Sequence, residues 1–299
     1  MTPLALFHRK CLKGFLHLSK AAPTPAIHFL LGEPPMEAKI HRDMFALFFS
    51  VWQNPNTKIY EIIKIILSEA DENSSTWAIN FKHICNQYQI EDPLLCLQRD
   101  PPAKSHFKEH IITKVLAFHE LELKHQASLN SKMTYFNVNL FGLRGKHHPS
   151  LSNILSADDV RKSRPHIKLL TGDYLAYETK FSQTGKGSPI CRICRTEPES
   201  ICHIVAVCNQ YNNVRTRISA EIKTACQNAN LSNIEKIFEN PSIFMQFILD
   251  PSSFNSDFRV HIDNPLLNDL FKLSRDFCYS IDKTRQKTLQ DIKDSTLYN

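Results

Sequence analysis

The chain has 299 residues, 42% of them hydrophobic, enough for one large core or two modest ones. Seven glycines in the whole sequence and no regular series of short alternating strands argue against a sandwich, a barrel or a glycine-rich doubly wound sheet, so a mainly α fold is expected. The net charge of +6 and pI near 8.8 permit a nucleic-acid partner without requiring one, and no apolar run reaches the roughly 18 residues that span a bilayer.

Three segments are expected: a helical region over 1–150, a metal-binding module over 151–230 and a helical tail over 231–299. The first 32 residues carry Arg9, Lys10, Lys13 and Lys20 and no acid. A mitochondrial transit peptide has that composition too, but the preferred reading is a basic amphipathic helix followed by a Pro-rich loop around Pro23 and Pro25, in a nuclear or cytoplasmic protein. Residues 39–53 place Ile40, Met44, Phe48 and Trp52 on one face, and residues 58–68 continue with Ile59, Ile62, Ile63 and Ile66, which predicts two core helices. Ser74 and Ser75 precede a helix running from Trp77 to Tyr88, and Glu91 to Pro102 reads as a connector. A long amphipathic helix follows over 104–129, its face made by Phe107, Ile111, Val115, Phe118 and Leu121, with His106, His110, His119 and His125 read as solvated.

The pattern breaks between Ser128 and Leu151, the expected domain boundary. Ser156 and Asp159 have the spacing of a capping box. Pro165 is expected to interrupt the helix that follows, with a second short helix from there to Gly172, which suits a left-handed cap. Asp158 and Asp159 adjoin Arg161-Lys162-Ser163-Arg164 and lack the apolar strand flanks of a polymerase aspartate pair. Glu61, Glu69, Asp71 and Glu72 fall on helical or loop sequence and do not make a nuclease carboxylate set. No catalytic residue is assigned.

The most specific feature is Cys191, Cys194, His203 and Cys208, spaced C-x2-C-x8-H-x4-C. Three thiolates and an imidazole are a tetrahedral donor set that structural zinc prefers, and four protein ligands leave no open position for Lewis-acid chemistry. A thioredoxin-like redox pair needs a βαβ pattern that is absent, and disulfides need an oxidising compartment that nothing here signals. Cys202 adjoins His203 and could replace it. Three thiolates, a neutral imidazole and Zn²⁺ sum to −1, which Arg192 and Arg195 could offset, or they could face phosphates. Between Arg161 and Arg195 lie eight cations (Arg161, Lys162, Arg164, Lys168, Lys180, Lys186, Arg192, Arg195) against Asp173 and Glu178, an excess equal to that of the whole chain. Those eight are the candidate nucleic-acid contacts. Tyr174, Tyr177 and Phe181 could stack on bases, but their spacing is also that of a buried helix face, the favoured reading.

Lys168-Leu169-Leu170-Thr171-Gly172-Asp173-Tyr174, Lys180-Phe181, Cys191-Arg192-Ile193-Cys194, Glu197-Pro198-Glu199-Ser200, His203, Cys208 and Arg215 together resemble the zinc-binding segment at the C-terminal end of reverse transcriptases from non-long-terminal-repeat retrotransposons. Ala26 to Pro35, Ser75-Thr76-Trp77 and Pro101-Pro102-Ala103-Lys104 are similar to the linker that precedes it. The resemblance covers roughly residues 5 to 225, departing at Ser200 (usually threonine), at the extra Cys202 and at Pro165. It implies a helical, zinc-stapled, non-catalytic module contacting RNA or DNA beside a polymerase supplied in trans. It further implies that Glu199 and Arg215 are structural positions and that the chain is a remnant or fragment of a longer product. The other readings are a protein-interaction scaffold whose zinc is purely structural, and a relic without function.

Overall fold

A computed structural model describes residues 3–70, 77–229, 231, 234–254 and 264–297. The fold is mainly α; among the described residues the one extended pairing is an isolated antiparallel bridge between Ile190 and Pro198. The chain forms two compact units, Met1–His8 with Glu33–His125, and Arg9–Gly32 with Gln126–Asn299. This division differs from the expected segments. Residues 128–151, the expected boundary, contain three single 3-10 turns and bury Met133, Phe136, Val138, Leu143 and His148, and the C-terminal helices belong to the same unit as the cysteine cluster.

In the first unit, α3 (Met36–Trp52), α4 (Lys58–Glu69), α5 (Trp77–Gln87), the short α6 (Pro93–Cys96) and most of α7 (Lys104–Ser128) surround an aromatic core. Phe45, Phe48, Phe49, Trp52, Phe81 and Tyr88 are buried there with Leu67, Ile111 and Val115, each contributing about 1.5–3 kcal/mol by leaving water. Asp92 caps α6 inside the stretch read as a connector, accepting from the backbone N–H of Leu94 at 2.8 Å. The Ser74–Ser75 cap lies outside the described residues.

Two facial assignments are corrected. On α4 only Ile63, Tyr60 and Leu67 pack inward, while Ile59, Ile62 and Ile66 face out. Both sides of α4 are apolar, so periodicity alone does not say which one meets the core. On α7, Leu121 is exposed and Leu116 and Leu123 are buried instead. His106, His110 and His125 are exposed, whereas His119 is half-buried in a chain with Tyr88 and His41 (Tyr88 Oη to His119 Nε2, 2.8 Å; to His41 Nδ1, 2.6 Å).

α1 (Pro3–Phe15) is the expected basic helix, but the Pro-rich loop is itself helical: α2 (Thr24–Leu31) uses Pro25 in its first turn, where a missing N–H costs nothing, and buries Ala26 to Leu30. α8 (Ala157–Leu170) begins on the expected Ser156–Asp159 capping box and runs unbroken through Pro165, so the anticipated pair of short helices is one helix. Burial of Ser163, Pro165, His166, Ile167, Leu169 and Leu170 against neighbouring helices outweighs the single backbone bond that proline removes. Gly172 ends it at φ +64°, and a Cβ there would stand 2.3 Å from the Lys132 carbonyl oxygen, so only glycine fits.

α9 (Tyr177–Thr184), α10 (Asn212–Asn228), α11 (Glu235–Glu239), the apolar α12 (Pro241–Leu249) and the long α13 (Asn264–Leu297) complete this unit. α13 packs along α8 and α10 with Leu270, Phe271, Phe277, Cys278 and Ile281 buried. Its Arg275, also buried, donates to the carbonyls of Ser150 and Ser152, both at 3.1 Å. No described helix is long and apolar enough to cross a membrane.

Candidate metal centre

The segment between α9 and α10 folds around its own backbone hydrogen bonds. Cys191 N–H donates to Glu197 O (2.8 Å) and Glu199 N–H to Pro189 O (2.8 Å), closing a narrow ribbon whose tip is Cys191 to Arg195. Arg195 turns the chain at φ +62°, a left-handed conformation costing a non-glycine residue about 1 kcal/mol, and donates its N–H to Cys191 O at 2.8 Å. That turn aims Cys191 and Cys194 at the same point. His203 to Val207 then form one π-helical turn, closed by Cys208 N–H on His203 O at 2.7 Å. The wide turn, a feature frequent at functional sites, swings Cys208 back beside His203.

One ligand atom from each of Cys191, Cys194, His203 and Cys208 lies within 4.8 Å of all the others. Around a tetrahedral zinc ion such atoms stand roughly 3.3–3.8 Å apart, given bonds of about 2.3 Å to sulfur and 2.0 Å to nitrogen. Cys194 Sγ and His203 Nε2 are already 3.3 Å apart. His203 Nδ1 faces Glu197 Oε2 at 3.3 Å, so the Nδ1 proton is held by the carboxylate and Nε2 is left toward the sulfurs, the second-shell arrangement usual for metal-bound histidine. Cys202 is not among the converging groups; it is half-buried, and burial raises its thiol pKa.

Burial pushes the Cys208 thiol up to about 12, and burial also raises Cys191. At Cys194 burial works the same way but is outweighed by hydrogen bonds, chiefly with the Thr196 hydroxyl 3.1 Å from the sulfur, and the thiol pKa falls. Three thiolates cannot share so small a space without a cation among them.

Two half-buried cations brace the site. Arg215, on α10, donates to the carbonyls of Val205 (3.4 Å), Val207 (3.3 Å) and Cys208, holding the backbone around the fourth ligand. Glu199, 0% exposed, accepts from Arg285 on α13 (Nη2 to Oε1 2.6 Å; Nε to Oε2 3.4 Å). The Arg285 guanidinium also lies 5.5 Å above the Tyr174 ring, whose hydroxyl donates to Asp282 at 2.7 Å. The ribbon is therefore tied to the C-terminal helix. Neither Arg285 nor Asp282 is legible as a partner in the sequence, because they follow Glu199 by more than eighty residues.

The eight cations of 161–195 do not share one environment. On α8, Arg161 pairs with Asp158 (2.5 Å) and lies 5.2 Å over the Tyr279 ring; Lys162 pairs with Asp158 (3.1 Å) and Asp276 (2.9 Å). Arg164 donates to His17 Nε2 at 3.0 Å, and Lys168 is half-buried. Lys180, Lys186, Arg192 and Arg195 are exposed on α9 and the ribbon. Tyr174 precedes α9 and is buried, Phe181 is 38% exposed, and the two do not share a buried helix face.

Ser150, His148 and Asp250 also line up, with His148 Nδ1 2.8 Å from Ser150 Oγ and Nε2 3.6 Å from Asp250. All three are sealed from solvent, and Ser150 can meet no substrate. No known protein family, curated protein or solved structure matches the chain.

Proposed function

We propose that this protein is a non-catalytic helical module stapled by one structural zinc ion, and that its metal-bearing ribbon contacts RNA or DNA. The convergence of three sulfurs and one imidazole nitrogen within 4.8 Å is the observation that carries the zinc reading. With four protein ligands the ion would fix the ribbon against α10 and α13 and offer no site to a substrate. The nucleic-acid reading is supported by the exposed Lys180, Lys186, Arg192 and Arg195 around the ribbon and by the resemblance of residues 168–215 to a reverse-transcriptase zinc segment, which also suggests a polymerase partner in trans.

Binding of a labelled RNA hairpin and a DNA duplex by the metal-loaded protein tests this. Affinity should fall steeply as salt rises, and Lys180→Ala with Lys186→Ala should lower the log–log salt slope by roughly 1–2. Absent or salt-insensitive binding overturns the nucleic-acid reading. The scaffold alternative is favoured by the partners that Arg161, Lys162 and Arg164 already have within the chain, which would compete with phosphate for three of the eight cations.

A further inference from the structure

Helix α4 carries a second apolar face that its own unit does not use. Opposite Tyr60, Ile63 and Leu67, four isoleucines point to solvent: Ile59, Ile62, Ile65 and Ile66 are 62%, 53%, 53% and 38% exposed. At 100° per residue they fall in one arc of the helix and leave on the order of 400 Å² of apolar surface, in the range of the largest patch on a soluble monomer, which is often functional.

The charges at the two ends of this stripe say what fits it. Lys58 opens α4 and Glu69 closes it; both are exposed, and neither forms an ion pair among the described residues. Eleven positions apart, they lie in the same arc as the isoleucines. Each stands at the wrong pole of its own helix, a cation at the positive N-terminal end and an anion at the negative C-terminal end. An antiparallel neighbour with the same sequence reverses both faults. With a two-fold axis between Ile63 and Lys64, Lys58 of one copy lies over Glu69 and the C-terminal pole of the other, twice, and Ile62 of each copy meets Ile65 of the other.

We infer that α4 is a self-association face and that its occupant is α4 of a second copy, packed antiparallel. The isoleucines of two copies supply on the order of 800 Å², short of the roughly 1,200–2,000 Å² of stable interfaces, so the dimer is weak and reversible.

Sedimentation velocity on the full, metal-loaded chain from about 1 to 200 μM tests this. The expected result is a concentration-dependent monomer–dimer equilibrium. Ile62→Glu with Ile65→Glu should weaken it by at least about tenfold with an unchanged circular dichroism spectrum, because both side chains lie outside the core. Lys58→Glu alone and Glu69→Lys alone should each weaken association by about threefold or more, and the two together should restore it to within about twofold of the parent. A monomer at every concentration overturns the inference, as does a dimer indifferent to the isoleucine substitutions, which would place the contact elsewhere. Single reversals that the double variant fails to rescue overturn the antiparallel pairing.

Discussion

Replacing Glu199 by alanine should be among the most damaging single changes to the unit that holds the cysteine cluster. Its carboxylate is fully buried, and the Arg285 side chain that answers it is 11% exposed. Deleting one partner leaves the other charge stranded away from water, a loss of about 3–5 kcal/mol, whereas deleting both charges and keeping the volume is close to neutral. Glu199→Ala and Arg285→Met should therefore each cost about 3–5 kcal/mol, with the arginine change also losing the contact over Tyr174. Glu199→Met combined with Arg285→Met should cost less than either single change. Trp52 and Trp77 both belong to the Glu33–His125 unit, so tryptophan fluorescence follows the wrong part of the chain. Urea titrations should be read by near-ultraviolet circular dichroism of the tyrosines and by amide exchange over residues 186–210. A Glu199→Ala cost below about 1 kcal/mol, or a double variant as unstable as the sum of the singles, refutes the claim that this ion pair anchors the ribbon to α13.

Two further outcomes follow from the same geometry. His166 is fully buried, its Nε2 facing Leu249 O at 2.9 Å, and burial lowers its pKa from 6.5 to about 4. The unfolded chain thus binds a proton that the folded chain refuses between those values, so stability is present above pH 6.5 and about 3 kcal/mol of it is lost as the pH falls to 4. Urea midpoints of the parent and of His166→Gln across that range check this, and an unchanged pH slope in the variant contradicts it. Glu197→Ala should weaken metal binding by about tenfold, since the His203 ring loses the carboxylate that fixes its tautomer; competition with a chelating dye measures it, and an unaltered affinity contradicts that role.

How far the sequence could be read depended on whether the determining contacts were local. Cys191, Cys194, His203 and Cys208 lie within eighteen residues, and their spacing alone predicts the cluster that the structure brings together. The Ser156–Asp159 cap and the Gly172 terminus were legible for the same reason, each decided within a single helical turn. What escaped was set by distant partners. Pro165 does not break α8 because α13, more than a hundred residues on, packs along that helix. Residues 128–151 look like a domain boundary in composition, yet Arg275 holds their carbonyls and the unit buries their few apolar side chains. The faces of α4 could not be told apart because both are apolar, and the same ambiguity is what exposes a surface for self-association.

The central claim is that one zinc ion sits among three sulfurs and a nitrogen. Protein purified without added metal should contain one zinc per chain, and its X-ray absorption spectrum should show three scatterers at about 2.3 Å and one at about 2.0 Å, with Cys194→Ser or His203→Ala lowering the occupancy sharply. Protein that folds fully without metal, or zinc whose first shell is oxygen and persists in both variants, would contradict the account.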